Sequence, residues 1–432
     1  MDKPGLSTNM LETFQWFVFL LASAVALPIV IGSIYELNFI EIYGLMQRTF
    51  FTVGIASLLQ ALFGHRLPIM EVPAGIWVSI FSVMAVTSVQ AGGTYKGTLQ
   101  TLEMTMIISG FFLILFGAFK VTQKILPVFT PLVTGSFFLL LTVQLSGTLL
   151  KGMLGLQESS STIQGTQALI AFLTFFIVLG LSTFARGWLS SYAVFIGIVI
   201  GWVIFRSVIG VQEEQATVAL FSTPDLFGFG PPHFNLGILP LAFIIALISI
   251  SNIVASIEAV RQTLGEDPEK RSRQVNNGTM FSGINHFIAG GFGSVANVPS
   301  ATSSGFIALT GQKRKMPFVY ATILLLLIAF FPPVMTLISS IPSPVANAAL
   351  MASFVQLVAI GINSFTLEPL DSRKMTIIGV SYLFGMGAMF LPSEVFSNMP
   401  AIVQNVVSNG LLVGTGLVII MEQLWRTNKE RR

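Results

Sequence analysis

Apolar runs of about 20 residues, the length a helix needs to cross a bilayer's hydrocarbon core, follow one another along almost the whole chain. Fourteen such windows lie near residues 11–31, 41–63, 67–90, 100–119, 127–149, 164–184, 187–209, 236–260, 277–292, 294–311, 316–338, 344–363, 374–391 and 400–422. The stretches between them are too short for a separate soluble domain. Only 9% of the residues are charged and 53% are hydrophobic, whereas soluble domains carry about 25% charged residues. The chain is therefore expected to live in a bilayer. Its opening residues, MDKPGLSTN, are polar, and the first apolar run is long enough to span, so no cleavable signal is expected. The sequence contains no cysteine, which excludes disulfides and thiolate metal sites.

Basic residues set the orientation. With the N-terminus in the cytoplasm, eighteen of the 22 Lys and Arg fall on the cytoplasmic side, including Lys120 and Lys124, Lys270 to Arg273, Lys313 to Lys315, Arg373 and Lys374. Lys96, Lys151 and Arg206 fall outside, and Arg48 lies within the second crossing. The positive-inside rule then puts both termini in the cytoplasm of a plasma-membrane protein and demands an even number of crossings. A net charge of +3 reflects this asymmetry, and no nucleic-acid partner is expected.

The third and tenth windows make the poorest helices. Each opens on a short extended stretch, Val72-Pro73-Ala74-Gly75 in one and Val298-Pro299-Ser300-Ala301 in the other. Seven crossings separate them, so they enter from opposite sides, the signature of an inverted-topology repeat. Non-helical backbone cannot face lipid and must be buried in protein or line a polar cavity. Two strand-then-helix segments meeting near the midplane would present free N–H groups and the positive ends of helix dipoles there. The other reading, small-residue packing faces, is weakened by the recurrence at the repeat spacing. The expected fold class is an all-α polytopic membrane protein of about fourteen transmembrane segments in a 7+7 inverted repeat, with segments 3 and 10 broken.

Three motifs carry a resemblance: Phe14 to Pro28 (FQWFVFLLASAVALP), Leu67 to Trp77 (LPIMEVPAGIW) and Gly290 to Gly311 (GGFGSVANVPSATSSGFIALTG). In this order, on a chain of this organisation, they resemble the nucleobase–ascorbate transporter family, which includes uracil and xanthine permeases. The resemblance implies a core domain from 11–119 and 236–338 and a gate domain from 127–209 and 344–422. It also implies proton- or sodium-coupled uptake of a small-molecule nucleobase, commonly by a homodimer in the lipid bilayer. Carried over by position, the backbone near Gly75 and Ala301 would hold the base, with Ser23 beside its ring. The family's Glu/Gln-Asn-x-Gly at the start of the tenth helix is Thr302-Ser303-Ser304-Gly305 here, which puts Thr302 and Ser303 at substrate-binding positions. On the eighth segment two registers compete. Local similarity of SIEAVRQ puts Glu258 at the family's acidic position, whereas counting from Phe234 lands on Asn252, with Ser256 one turn later. The second register is preferred, and Glu258 then pairs with Arg261 near the cytoplasmic end.

A proton-coupled transporter needs a group that titrates. Glu71, in broken segment 3 with no basic residue nearer than Arg66 in sequence, is the first candidate and Glu258 the second. A Glu at that place can equally cap exposed N–H groups of the strand–helix junction. Arg48 reads as a partner for Glu41 or Glu12, or as a charge snorkelling to the interface. His65, His233 and His286 have no metal-ligand spacing, so no metal is expected, and His286 reads first as a hydrogen-bonded packing residue. No cofactor is expected beyond the coupling ion, H+ before Na+. The absence of clustered nucleophiles and of a phosphate-binding Gly-Lys-Ser/Thr loop argues against an enzyme and against an ATP-driven pump. The expected function is proton symport of a nucleobase, a purine such as xanthine or urate before uracil. An anion carrier for sulfate, bicarbonate or a dicarboxylate is the alternative on the same fold.

Overall fold

The computed structural model describes residues 6–90, 92–156, 162–210, 219–396 and 399–425. Its long helices, in chain order, are α1 (Leu6–Ile34), α2 (Phe39–Leu62), α3 (Gly75–Gln90), α4 (Tyr95–Ala118), α5 (Pro131–Met153), α6 (Gly165–Phe184) and α7 (Ala193–Ile209). They continue as α8 (Ile238–Leu264), α9 (Arg271–Phe292), α10 (Thr302–Thr310), α11 (Lys315–Ile328), α12 (Ser343–Thr366), α13 (Ser372–Phe390) and α14 (Gly410–Leu424). Among the described residues, seven of them (α1, α2, α4, α5, α6, α8 and α12) are long and apolar enough to cross a membrane, and α3, α7 and α14 are shorter apolar helices.

Local sequence explains where the helices begin and end. Asn38 and Glu41 form a capping box at the start of α2, satisfying two orphan N–H groups reciprocally. Thr94, Thr130, Asp371 and Asn409 each accept an N–H of the first turn that follows. Helices α8, α9 and α10 stop at Gly265, Gly293 and Gly311, whose φ of 69°, 61° and 72° is left-handed, a conformation glycine adopts without a Cβ clash.

Two windows read as single crossings are divided. Window 316–338 is α11 followed by a helix at Pro332–Ser339, bent through 90°. Pro332 and Pro333 supply no backbone N–H, so the ladder of α11 cannot continue through them. Window 400–422 is a short helix, Ala401–Val407, and then α14. Asn409 restarts the chain there as the N-cap of α14, accepting the N–H of Leu412 at 3.2 Å.

Close helix contacts rest on small residues. One close seam joins α4 to α9: a Cβ placed on Gly110 would lie 2.6 Å from the Gly283 carbonyl oxygen, and one on Gly283 would lie 2.5 Å from that of Gly110. With lipid as apolar as the side chains, such backbone approach is what drives helices together. Helices α1 and α2 pack on α11, α5 packs on α12, α6 on α7 and α12, and α13 on α14. The only strands among the described residues, β1 (Glu71–Pro73) and β2 (Asn297–Pro299), form a single antiparallel pair. They lie where the two poorest windows were read.

Candidate functional site

The register of the ribbon is symmetrical. Glu71 pairs with Pro299, Val72 with Val298, and Pro73 with Asn297. The pairing runs on at both ends, Ala74 N–H donating to the Ala296 carbonyl at 3.1 Å and Ser300 N–H to that of Met70 at 3.0 Å. Pro73 and Pro299 fall between these bonded positions, where a missing N–H costs the ladder nothing. Helix α3 leaves from one strand and α10 from the other. At their first turns the N–H groups of Gly75, Ile76, Ala301 and Thr302 have no partner among the described residues. Such N-termini carry partial positive charge and donors ready for a polar ligand.

Three hydroxyls fix this ribbon in the protein. Ser256 of α8 donates to the Pro299 carbonyl at 2.8 Å. Ser303 of α10 accepts the Met70 N–H at 3.1 Å, and Ser57 of α2 accepts the Glu71 N–H at 2.9 Å. Ser256 and Ser303, expected at the substrate, are therefore fully buried and engaged with backbone. Thr302 is exposed and its hydroxyl meets that of Ser300 at 2.8 Å. Ser23 is half-buried and donates to the Phe19 carbonyl one turn back. Gly75 and Ala301 are half-buried at the helix starts, and a Cβ on Gly75 would only touch the Leu141 side chain at 3.4 Å.

Asn252 lies one turn before Ser256, half-buried, and makes no hydrogen bond to a described residue. It faces a cleft between α8 and α5 lined by Thr134, Phe137, Phe138, Ser251 and Thr415. The cleft spans about 320 Å³ of space not filled by atoms. None of its lining residues is charged. Glu258 lies elsewhere, paired with Arg271 at 3.0 Å and with Arg261 at 3.8 Å.

The opposite face of the ribbon is polar and sealed. Glu71 is completely buried, with His65 Nε2 3.6 Å from one carboxylate oxygen and the Asn285 amide 3.5 Å from the other. In space, then, His65 rather than Arg66 is its basic neighbour. Gln60 ties α2 to α9 through the Gly278 carbonyl and Ser282. His286 accepts the Trp77 indole N–H at 3.0 Å and its other nitrogen lies 2.8 Å from the Ser282 carbonyl, a packing role. Sequence reasoning missed the contacts of His65 and Asn285 with Glu71, although the Asn285-His286 pair within a membrane window is a signal in its own right for Asn285.

Arg48 is the clearest correction. It is 4% exposed, so it does not snorkel. It pairs with neither Glu41, which caps α2, nor Glu12, which meets Arg314 at 2.7 Å. Instead its Nε donates to the Gly293 carbonyl at 3.2 Å and its guanidinium lies 5.0 Å from the centre of the Phe229 ring. Residues 222–233, ahead of α8, lie over α2, α4 and α9, and Phe229 N–H donates to the buried Glu103 at 3.3 Å. A long-range contact of this kind has no local sequence signal.

Residues 8–394 match the model of the xanthine–uracil permeases, described as a permease family. The chain belongs to that family. Among relatives, the permease is 32% identical over 430 residues to YwdJ of Bacillus subtilis, provisionally named a purine permease, with 97% of each chain covered. It is 24% identical to the xanthine permease of the same organism, covering 97% of this chain and 94% of that one. Among solved structures it is similar to the transmembrane domain of a cyanobacterial bicarbonate transporter, BicA, with a TM-score of 0.63 and 14% identity over 95% of this chain and 97% of that one. That likeness concerns the fold alone. The family is one of integral membrane permeases and not of enzymes.

Proposed function

We propose that this permease takes up a nucleobase, a purine such as xanthine or urate, by proton symport with alternating access. The observation that carries the reading is the β1–β2 ribbon. It sets two unpartnered helix N-termini and the free amide of Asn252 around the strands, and an amide that both donates and accepts suits the edge of a base. The names of the relatives, a purine permease and a xanthine permease, support the substrate class. The uncharged cleft beside Asn252 supports a base, neutral or at most singly charged, over the doubly charged sulfate or a dicarboxylate.

The register about Val72 and Val298 supports an inverted repeat of fourteen crossings, in which α11 with Pro332–Ser339, and Ala401–Val407 with α14, each count once. The packing of α1, α2, α4, α8, α9 and α11 on one another, with α10 on α8, and of α5–α7 and α12–α14 on one another, supports a core and a gate whose cleft holds Asn252. Alternating access is then relative movement of the two around the site. Glu71 is the proton carrier in this reading, because Glu258 is neutralised by two arginines at a half-exposed place. Cytoplasmic termini and a homodimer complete the proposal.

Counterflow from proteoliposomes tests it. Vesicles preloaded with xanthine should accumulate radiolabelled xanthine or urate and ignore sulfate and bicarbonate. Uracil counterflow without purine counterflow would reassign the substrate within the family. Counterflow of an anion alone would overturn the nucleobase reading.

A further inference from the structure

Paired residues and residues two apart share one side of an antiparallel ribbon, so Glu71 and Asn297 project to the same face, away from Val72 and Val298. His65, from the chain before β1, and Asn285 of α9 complete a cluster there. All four residues are at most 1% exposed. Each has atoms without a hydrogen-bond partner among the described residues: Nε2 of His65, Oε1 of Glu71, Oδ1 of Asn285, and both amide atoms of Asn297. Buried polar atoms are rarely left unmatched, and four neighbouring residues sharing the defect point to a common ligand.

The His65 ring is fixed in orientation. Its Nδ1 accepts the Leu67 N–H at 3.0 Å, which leaves the ring proton on Nε2, directed at Glu71 Oε1 across 3.6 Å. That distance is too long for a hydrogen bond and closes to one with a shift of about half an ångström.

We propose that this buried face of the ribbon is a proton site separate from the substrate side, with Glu71 carrying the proton and His65 as the positioning donor that meets the carboxylate once the proton has gone. The proposal rests on the proton-coupled reading above and names its second residue. With Glu71 protonated, its O–H has the free Oδ1 of Asn285 or Asn297 as acceptor and His65 stands off, the arrangement seen here. When the proton leaves to water, the carboxylate takes the Nε2–H of His65 and the Nδ2–H of Asn297, and no buried charge is left without donors. His65 keeps its single proton throughout, since Nδ1 is held by Leu67.

Few other charges reach the cluster. Helix α2 contributes Ser57 and Gln60, and α9 contributes His286 beside Asn285, turned to Trp77. On α1 the acid Glu12 is paired with Arg314. Lys315, at the head of α11, is the cation whose field reaches His65.

The test is the pH dependence of accumulation in proteoliposomes, read beside counterflow, which needs no proton gradient. His65→Asn keeps an oxygen for the Leu67 N–H and withdraws the donor from Glu71. The carboxylate then loses a stabilising hydrogen bond and holds its proton to higher pH. The midpoint of pH-dependent accumulation should move up by about one unit, with counterflow unchanged. Asn297→Ser should move it in the same direction and decides the matter if the His65 variant does not insert. An unmoved midpoint with normal counterflow overturns the proposal and leaves Glu71 coupling standing. Loss of counterflow together with accumulation assigns His65 to the scaffold and overturns it too. Normal pH-dependent accumulation in Glu71→Gln would instead remove the coupling reading itself.

Discussion

Asn252→Ala is the sharpest test of where the substrate sits. The amide is half-buried and makes no hydrogen bond to a described residue, so truncating it orphans nothing in the empty protein. The melting temperature of detergent-solubilised protein should therefore stay within about 2 °C of the parent. With a base bound, the same truncation leaves ligand donors and acceptors unmatched in a dry cleft, at a cost of about 1–3 kcal/mol. At about 1.4 kcal/mol per tenfold, xanthine or urate affinity should fall roughly 5- to 150-fold. Ser256→Ala, one turn away, is the internal contrast. Its hydroxyl holds the Pro299 carbonyl at 2.8 Å in a fully buried place, so its removal should lower stability by about 1–3 kcal/mol. Scintillation proximity binding and a melting curve on the same preparations separate the two effects. Parental affinity in Asn252→Ala alongside lost binding in Glu258→Gln would refute the register placing Asn252 at the substrate.

Other expectations follow from the same geometry. Gly75→Ala should transport normally, because its Cβ would make only an ordinary contact with Leu141; Gly75→Val and Ala301→Leu should abolish counterflow while inserting at parental levels on a membrane blot. Glu71→Gln, which keeps hydrogen bonding and cannot titrate, should lose uphill accumulation and retain exchange. Arg48→Met should destabilise the protein by about 1–3 kcal/mol, read as a lowered melting temperature, since it leaves the Gly293 carbonyl without its donor and removes the cation from the Phe229 ring.

What could be read in the sequence depended on the range of the forces involved. Apolar length gave the helices, and Pro73 and Pro299 with the small residues around them marked the two breaks, because both signals are local. The bend at Pro332–Pro333 was equally local, and hydropathy hid it: a run of apolar residues scores alike whether it is one helix or two. Arg48 was misread because its partners, Gly293 and Phe229, are about half the chain away, beyond any periodicity argument. The burial of Ser256 and Ser303 against backbone was invisible for the same reason. A hydroxyl in a site motif can touch a ligand or hold the strand that does, and only the pairing partner distinguishes them.

The two faces of one short ribbon bear on how a substrate and a proton can be coupled. Val72 and Val298 share one face, Glu71 and Asn297 the other, and the strands are only three residues long. Each strand runs directly into the helix whose N-terminus would meet the base, and each is tied by serine hydroxyls to its surroundings. A change of charge at Glu71 alters the hydrogen bonding of the ribbon's buried face, and the rigid three-residue span leaves little slack to absorb it. It would therefore be felt as a displacement at Gly75 and Ala301, and a base bound there would bias the same displacement in return, because coupling between two ligands is reciprocal. The proton need not touch the base for this to work. A carboxyl behind the ribbon can couple to a base in front of it, where the proposed function puts the amide of Asn252.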